Sequence, residues 1–117
     1  MENEEKNRIY NWPIEATLDV IGGKWKQLII YALNDSTLRF SQLINKVQPK
    51  ITQRMLTKQL RELEKDGLIT RKVYTQVPPK VEYTLTELGH SLMPILDLLC
   101  EWGSKHLGDR IKYKCEE

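Results

Sequence analysis

Scarcity marks this chain first. Its 117 residues include two cysteines, one phenylalanine and three methionines. Cys100 and Cys115 are too few and too poorly spaced for a zinc site, and His90 and His106 do not complete a ligand set with them. A disulfide framework is not expected either. Long apolar runs are missing: charge or polarity interrupts each one well before the ~18 residues a membrane span needs. The opening Met1-Glu2-Asn3-Glu4-Glu5 is acidic and polar, so no secretory leader is read there and a cytoplasmic protein is expected. Paired catalytic carboxylates, an activated nucleophile, a phosphate-binding glycine loop and a metal set are also wanting. That argues against an enzyme and gives no reason to expect a cofactor.

What is present is ordinary in kind and uneven in arrangement. A hydrophobic content of 40% and a charged content of 29% suit one compact domain of this length. The net charge of +2 hides a segregation. Between Lys46 and Lys80 stand nine basic residues and three acidic ones, so that window carries about +6 and the rest of the chain about −4. A basic region on a near-neutral protein is the footprint of a phosphate-binding face. A solvated helix surface with scattered lysines has the same composition, and the motif context must decide between them.

Pro13 to Ile21 carries Ile14, Leu18 and Ile21 at helical spacing, with Pro13 suited to a first turn and Gly22-Gly23 ending the run. A second apolar helix is expected from Lys24 to about Leu33, with Trp25, Leu28, Ile29 and Ala32 facing inward. Asn34-Asp35-Ser36 reads as a turn and Leu38-Arg39-Phe40 as a very short strand. Ser41 begins a brief helix containing Leu43, Ile44 and Val47, which Pro49 ends. Thr52 suits the N-cap of the next helix, because its hydroxyl can accept an orphan backbone N–H. Leu56, Leu60 and Leu63 form that helix's apolar stripe, and Gly67 closes it. Two strands, Leu68–Thr75 and Val81–Leu85, flank Gln76-Val77-Pro78-Pro79-Lys80, a basic tip stiffened by two prolines. Thr86 is then placed to cap one long last helix carrying Leu88, Leu92, Leu96, Leu99 and Trp102, kinked at Pro94.

This order of elements, mainly α with a small β-hairpin wing, is that of a winged helix-turn-helix. With Leu56, Leu60 and Leu63 on the core side, a rotation of ~100° per residue sends Arg54, Thr57, Lys58, Arg61 and Lys65 to the other face. Such a strip fits a major groove, where arginine can be bidentate to guanine and glutamine to adenine. Gln53, Arg54 and Thr57 are the candidates for reading base edges, and Lys58 and Arg61 for holding the backbone of double-stranded DNA. Arg71, Lys72 and Lys80 of the hairpin are further phosphate candidates, as are Lys24 and Arg39, the last equally suited to a local carboxylate. A winged helix used only for protein–protein contact is the competing interpretation, opposed directly by the basic window alone.

Several blocks also carry a family resemblance. Pro13-Ile14-Glu15-Ala16-Thr17-Leu18-Asp19-Val20-Ile21-Gly22-Gly23-Lys24-Trp25-Lys26 resembles the opening signature of the HxlR family of MarR-like bacterial regulators. Ile51-Thr52-Gln53-Arg54-Met55-Leu56-Thr57 with Gln59-Leu60-Arg61-Glu62-Leu63-Glu64 resembles its recognition helix. Val77-Pro78-Pro79-Lys80-Val81-Glu82-Tyr83, Leu85-Thr86-Glu87-Leu88-Gly89 and Cys100-Glu101-Trp102-Gly103 resemble its wing, last-helix entry and C-terminal signature. The resemblance spans about Trp12 to Gly103. It implies a transcription regulator, more often a repressor, acting as a homodimer on a near-palindromic operator, and it leaves room for a small-molecule effector of unspecified chemistry.

In this arrangement residues 1–11 are a flexible arm, 12–107 the winged domain with its dimerisation helices, and 108–117 a charged, loose tail. The last helix is more apolar than one small domain needs, with Leu92, Met93, Ile95, Leu96, Leu98, Leu99 and Trp102 covering more than one face. Trp12, Ile14, Leu92, Leu96, Leu99 and Trp102 are the dimer-contact candidates. The chain departs from the family at one place. Several members carry an oxidant-sensing cysteine directly before the proline of the opening signature, and here that position is Trp12. An indole forms no disulfide, so Trp12 is expected to be an apolar anchor in the dimer contact or part of a ligand-pocket wall. Cys100, among Leu98, Leu99 and Trp102, is expected to pack as a small hydrophobe.

Overall fold

A computed structural model describes residues 8–113. Helix α1 (Pro13–Ile21) has Pro13 in its first turn, where the missing N–H has no helical partner to lose. Helix α2 (Lys26–Ala32) starts two residues later than the sequence suggests. Strand β1 (Leu38–Arg39) gives way directly to α3 (Phe40–Lys46), so Phe40 opens a helix rather than ending a strand. Helix α4 (Gln53–Lys65) is followed by β2 (Ile69–Tyr74), β3 (Lys80–Leu85), a four-residue helix α5 (Glu87–His90) and the long α6 (Met93–Leu107).

The three strands form one antiparallel sheet in the order β1-β3-β2. β1 adds to the hairpin through Leu38↔Tyr83 and Arg39↔Glu82, while β2 and β3 pair from Ile69↔Leu85 to Tyr74↔Lys80. Alternation puts Ile69, Tyr83 and Leu85 on the core face and Thr70, Lys72, Tyr74, Lys80, Glu82 and Thr84 on the other. Thr70 through Val73 are exposed, so the far half of the hairpin projects beyond the core as a wing.

The core joins Ile29, Ile30 and Leu33 of the α2 region to Leu43, Leu56, Leu60, Leu63, Leu68 and Ile69. Each such aliphatic side chain contributes about 1.5–3 kcal/mol on burial. Leu56, Leu60 and Leu63 are 0%, 2% and 0% exposed, so α4 is anchored along its whole inner stripe. Both ends of α4 are as its sequence suggests. Thr52 Oγ1 accepts the Met55 N–H at 3.1 Å, and Gly67 takes φ +78°, a left-handed conformation that a side chain disfavours.

The C-terminal region departs from expectation. Thr86 caps the short α5, accepting the Gly89 N–H at 3.1 Å, and its hydroxyl also donates to the Gly67 carbonyl at 2.7 Å. The single kinked helix is instead two helices. Pro94 lies in the first turn of α6, where it needs no hydrogen-bond acceptor behind it, so it starts a helix rather than bending one. Leu92 and Leu96 require a further correction. At 9% and 3% exposure they belong to the chain's own core and are not available to a partner. Cys100 is half-buried and disulfide-bonded, which corrects the expectation that it packs as a small hydrophobe. Cys115 lies outside the described residues.

The expected flexible arm is tied down over residues 8–11. Arg8 and Tyr10 both reach Asp19 of α1, at 2.8 and 2.5 Å, and the Asn11 N–H meets Glu15. The expected loose tail begins with a 3-10 turn over Gly108–Arg110.

Gly89 is where α5 presses on the backbone of Leu68. A β-carbon there would collide with the Leu68 carbonyl, whereas one at Gly103 meets nothing within 4 Å. Gly89→Ala is expected to lower the unfolding free energy by about 1–3 kcal/mol in urea titrations, while Gly103→Ala leaves it unchanged or slightly higher.

Candidate nucleic-acid interface

The outward face of α4 is the natural place to begin, because its inner face is fixed. Gln53, Arg54, Lys58 and Arg61 are exposed, and Thr57 is half-buried with its hydroxyl donating to the Gln53 carbonyl at 2.8 Å. That bond uses the only hydroxyl proton of Thr57, leaving an oxygen that accepts and a methyl group that can touch an apolar base edge. All five residues, with Phe40 and Glu62, line one open concavity of about 620 Å³. The three residues proposed from sequence to read bases and two of those proposed to hold phosphates are therefore neighbours. Phe40 was not anticipated there. It enters because α3 starts one residue earlier than the sequence suggests.

The other basic candidates lie outside this concavity. Lys24 is exposed with its ammonium 4.8 Å from the ring of its neighbour Trp25. Arg39 and Lys72 flank Glu82 from β1 and β2. Arg71 reaches back to Glu64 of α4 at 3.8 Å, linking wing to helix. Lys80 lies 3.5 Å from Glu82, whose other oxygen accepts the Tyr74 hydroxyl at 2.7 Å. The Tyr74 hydrogen bond, helped by Lys80 against the opposing effect of burial, holds the Glu82 carboxyl below its ordinary range. Not every cation of the basic window faces outward, for Lys46 donates to the Ala32 carbonyl at the end of α2 at 3.0 Å.

Two features that position α4 were not read from the sequence. Lys26 is buried and its ammonium meets Glu62 of α4 at 2.9 Å, so α2 grips α4 electrostatically as well as by packing. Beside it Asp19 is held below its ordinary range, chiefly by the Tyr10 hydroxyl and then by Arg8 and Lys26. A lysine directly after Trp25, inside an otherwise apolar helix, was the available clue. Its partner lies far along the chain, and only the fold brings the two together.

Of the dimer-contact candidates, Trp12, Ile14, Leu99 and Trp102 are 69%, 72%, 56% and 60% exposed. Leu18, Leu88 and Leu98 are also more than half exposed. A chain of this size leaves an unusual amount of large apolar surface on α1, α5 and α6 uncovered. Among the described residues no group of three or more His, Cys, Asp or Glu is arranged to hold a metal, and no helix is long and apolar enough to cross a membrane.

Comparison with known proteins agrees with this geometry. The model of the HxlR-like helix-turn-helix family matches residues 20–111. The HTH-type transcriptional regulator YdeP of Bacillus subtilis is 59% identical over 99 residues, covering 85% of this chain and 76% of its own length. Among solved structures, the redox regulator HypR in its reduced form superposes with a TM-score of 0.77 at 52% identity, covering 86% of this chain and all of its own. A MarR-family regulator of Porphyromonas gingivalis W83 gives 0.78 at 35% identity, over 85% of this chain and 96% of its own.

The Lys26–Glu62 pair is asymmetric, since the two side chains are 11% and 39% exposed. Glu62→Ala strands the more buried charge and is expected to cost about 1–3 kcal/mol, after discounting for the water that reaches the carboxylate. Lys26→Met fills the same volume, leaves a carboxylate that water can solvate, and is expected to cost less than about 1 kcal/mol. Denaturant unfolding of both variants decides the matter; equal losses would contradict the asymmetry.

Proposed function

This chain belongs to the HxlR-like helix-turn-helix family of DNA-binding transcription regulators, and we propose that it works as a cytoplasmic homodimer reading a near-palindromic operator. In this proposal Gln53, Arg54 and Thr57 read base edges. Lys58 and Arg61 hold the flanking phosphates, and the wing, with Arg71, Lys72 and Lys80, follows the backbone. The observation that carries the proposal is the division of α4 into a stripe sunk in the core and an exposed polar face around one concavity. A helix so anchored presents its outer side chains without losing register, which base readout demands. Lys24 and Arg39 are placed less favourably, and their contribution to phosphate binding is secondary.

The homodimer is supported by the apolar surface of α1 and α6. Trp12, Ile14, Leu99 and Trp102, joined by Leu18 and Leu98, would be covered by the same residues of a second copy in a two-fold contact. Such a contact would set two copies of α4 on one face, facing successive turns of a duplex. The proposed direction of control is repression, because a dimer seated on a promoter blocks access to it without any further contact.

The direct test uses a duplex from upstream of the chain's own gene beside a mixed-sequence duplex of equal length. The intact protein is expected to prefer the upstream duplex. Arg54→Ala should lose about 1–3 kcal/mol of that binding and relax base preference at one position, whereas Lys58→Ala should weaken both duplexes alike. Sedimentation of Leu98→Glu should show a monomer. Equal affinity of the intact protein for both duplexes would sink the proposal of sequence reading at this site.

A further inference from the structure

We propose that Glu82 is a fixed negative charge that holds back the wing's cations and so sets how tightly the wing grips the phosphates of any duplex. The inference rests on the DNA-binding role above and concerns a residue whose charge is of the wrong sign for that role.

Glu82 occupies the middle of the central strand, on the face turned away from the core. Arg39 stands directly opposite it on β1 and Lys72 directly opposite on β2. Two residues along the same face, Tyr74 pairs with Lys80. Four bonds and contacts tie this group together. The Tyr74 hydroxyl donates to one Glu82 oxygen at 2.7 Å, and the Lys80 ammonium lies 3.5 Å from the other. The ammoniums of Lys72 and Lys80 also lie 4.9 and 4.6 Å from the Tyr74 ring. Lys80 is therefore paired with the carboxylate, Arg39 is close enough to stabilise its charge, and an aromatic ring holds Lys72 and Lys80 to the same face of the sheet.

The Glu82 side chain is 21% exposed and that of Lys80 25%, so neither swings freely in water. The hydroxyl and the ammonium favour the ionised carboxylate, and the charge is in place at neutral pH.

The consequence follows from how the two kinds of DNA binding draw their free energy. Binding to arbitrary sequence comes almost entirely from cations meeting phosphates, and each neutralised phosphate adds about 0.9 to the slope of log affinity against log salt. A carboxylate at the centre of the wing's cations makes the wing worth about one phosphate contact fewer. Operator binding draws also on base edges read by α4, but it makes the same wing contacts and loses the same free energy. Glu82 thus lowers the affinity for the operator and for other DNA alike, and leaves their ratio to α4.

Glu82→Gln tests this, because the amide oxygen still accepts the Tyr74 hydroxyl while the charge is gone. Affinity is measured across a salt series for the upstream duplex and for the mixed-sequence duplex. The mixed-sequence affinity is expected to rise about three- to tenfold near physiological salt and its slope to steepen by about one. The upstream affinity should rise by the same factor, so the upstream-to-mixed ratio should hold. Glu87→Gln, an equal change of charge on exposed α5, should move neither affinity beyond about twofold. Glu82→Asp keeps the charge and should leave both affinities within about twofold. Unchanged or weaker mixed-sequence binding in Glu82→Gln, an equal rise in Glu87→Gln, or an equal rise in Glu82→Asp would each overturn the inference. Failure of the intact protein to distinguish the two duplexes counts against base reading by α4 instead. The effect of Glu82 is read separately, on the mixed-sequence duplex alone.

Discussion

The burial of one side of α4 is the constraint on which the other features depend. Leu56, Leu60 and Leu63 enter a core built by α2, α3 and the base of the sheet, and together they remove any freedom of the helix to roll. Because a helix turns ~100° per residue, fixing that stripe also fixes where Gln53, Arg54, Lys58 and Arg61 point. The Thr52 cap sets the start of the helix and Gly67 its end. Thr86 then ties the end of β3 back to Gly67, so the wing and the helix it accompanies share one joint.

Around this anchored helix the basic residues divide between structure and surface. Lys26 and Lys46 are spent within the fold, one on Glu62 and one on the last carbonyl of α2. Arg71 leans on Glu64, and Lys80 is held by Glu82 and Tyr74. The cations of α4 itself, Arg54, Lys58 and Arg61, stand exposed around the concavity, where the proposed reading has them meet DNA together with those of the wing. A formal net charge of +2 conceals this division, which matters more for recognition than the total does.

Much of this was legible in the sequence, for identifiable reasons. Thr52 and Gly67 act through chemistry local to one or two residues, and the leucine stripe of α4 announces its own periodicity. Pro94 was misread because a proline in an apolar pattern fits both a kinked helix and the first turn of a new one. The turn at Ser91–Leu92, where the Leu92 N–H bonds to the Gly89 carbonyl, is a matter of local packing that no single residue signals. Leu92 and Leu96 were assigned to a partner for a related reason. A helix that is apolar on several sides does not say which side its own chain will cover, and here the side bearing Met93 and Leu96 is covered while Leu98, Leu99 and Trp102 are not. The pairings of Lys26 and Glu82 depend on contacts across the fold and had no periodic signature at all.

In the proposed homodimer, two copies of α4 would act in symmetric register. Selection of bound duplexes from a random pool by the intact protein tests it most directly. The account predicts an inverted repeat whose half-sites lie about 10–10.5 base pairs apart, centre to centre, or a multiple of that spacing. Recovery of a single unrepeated site, or of no enriched sequence, would contradict it.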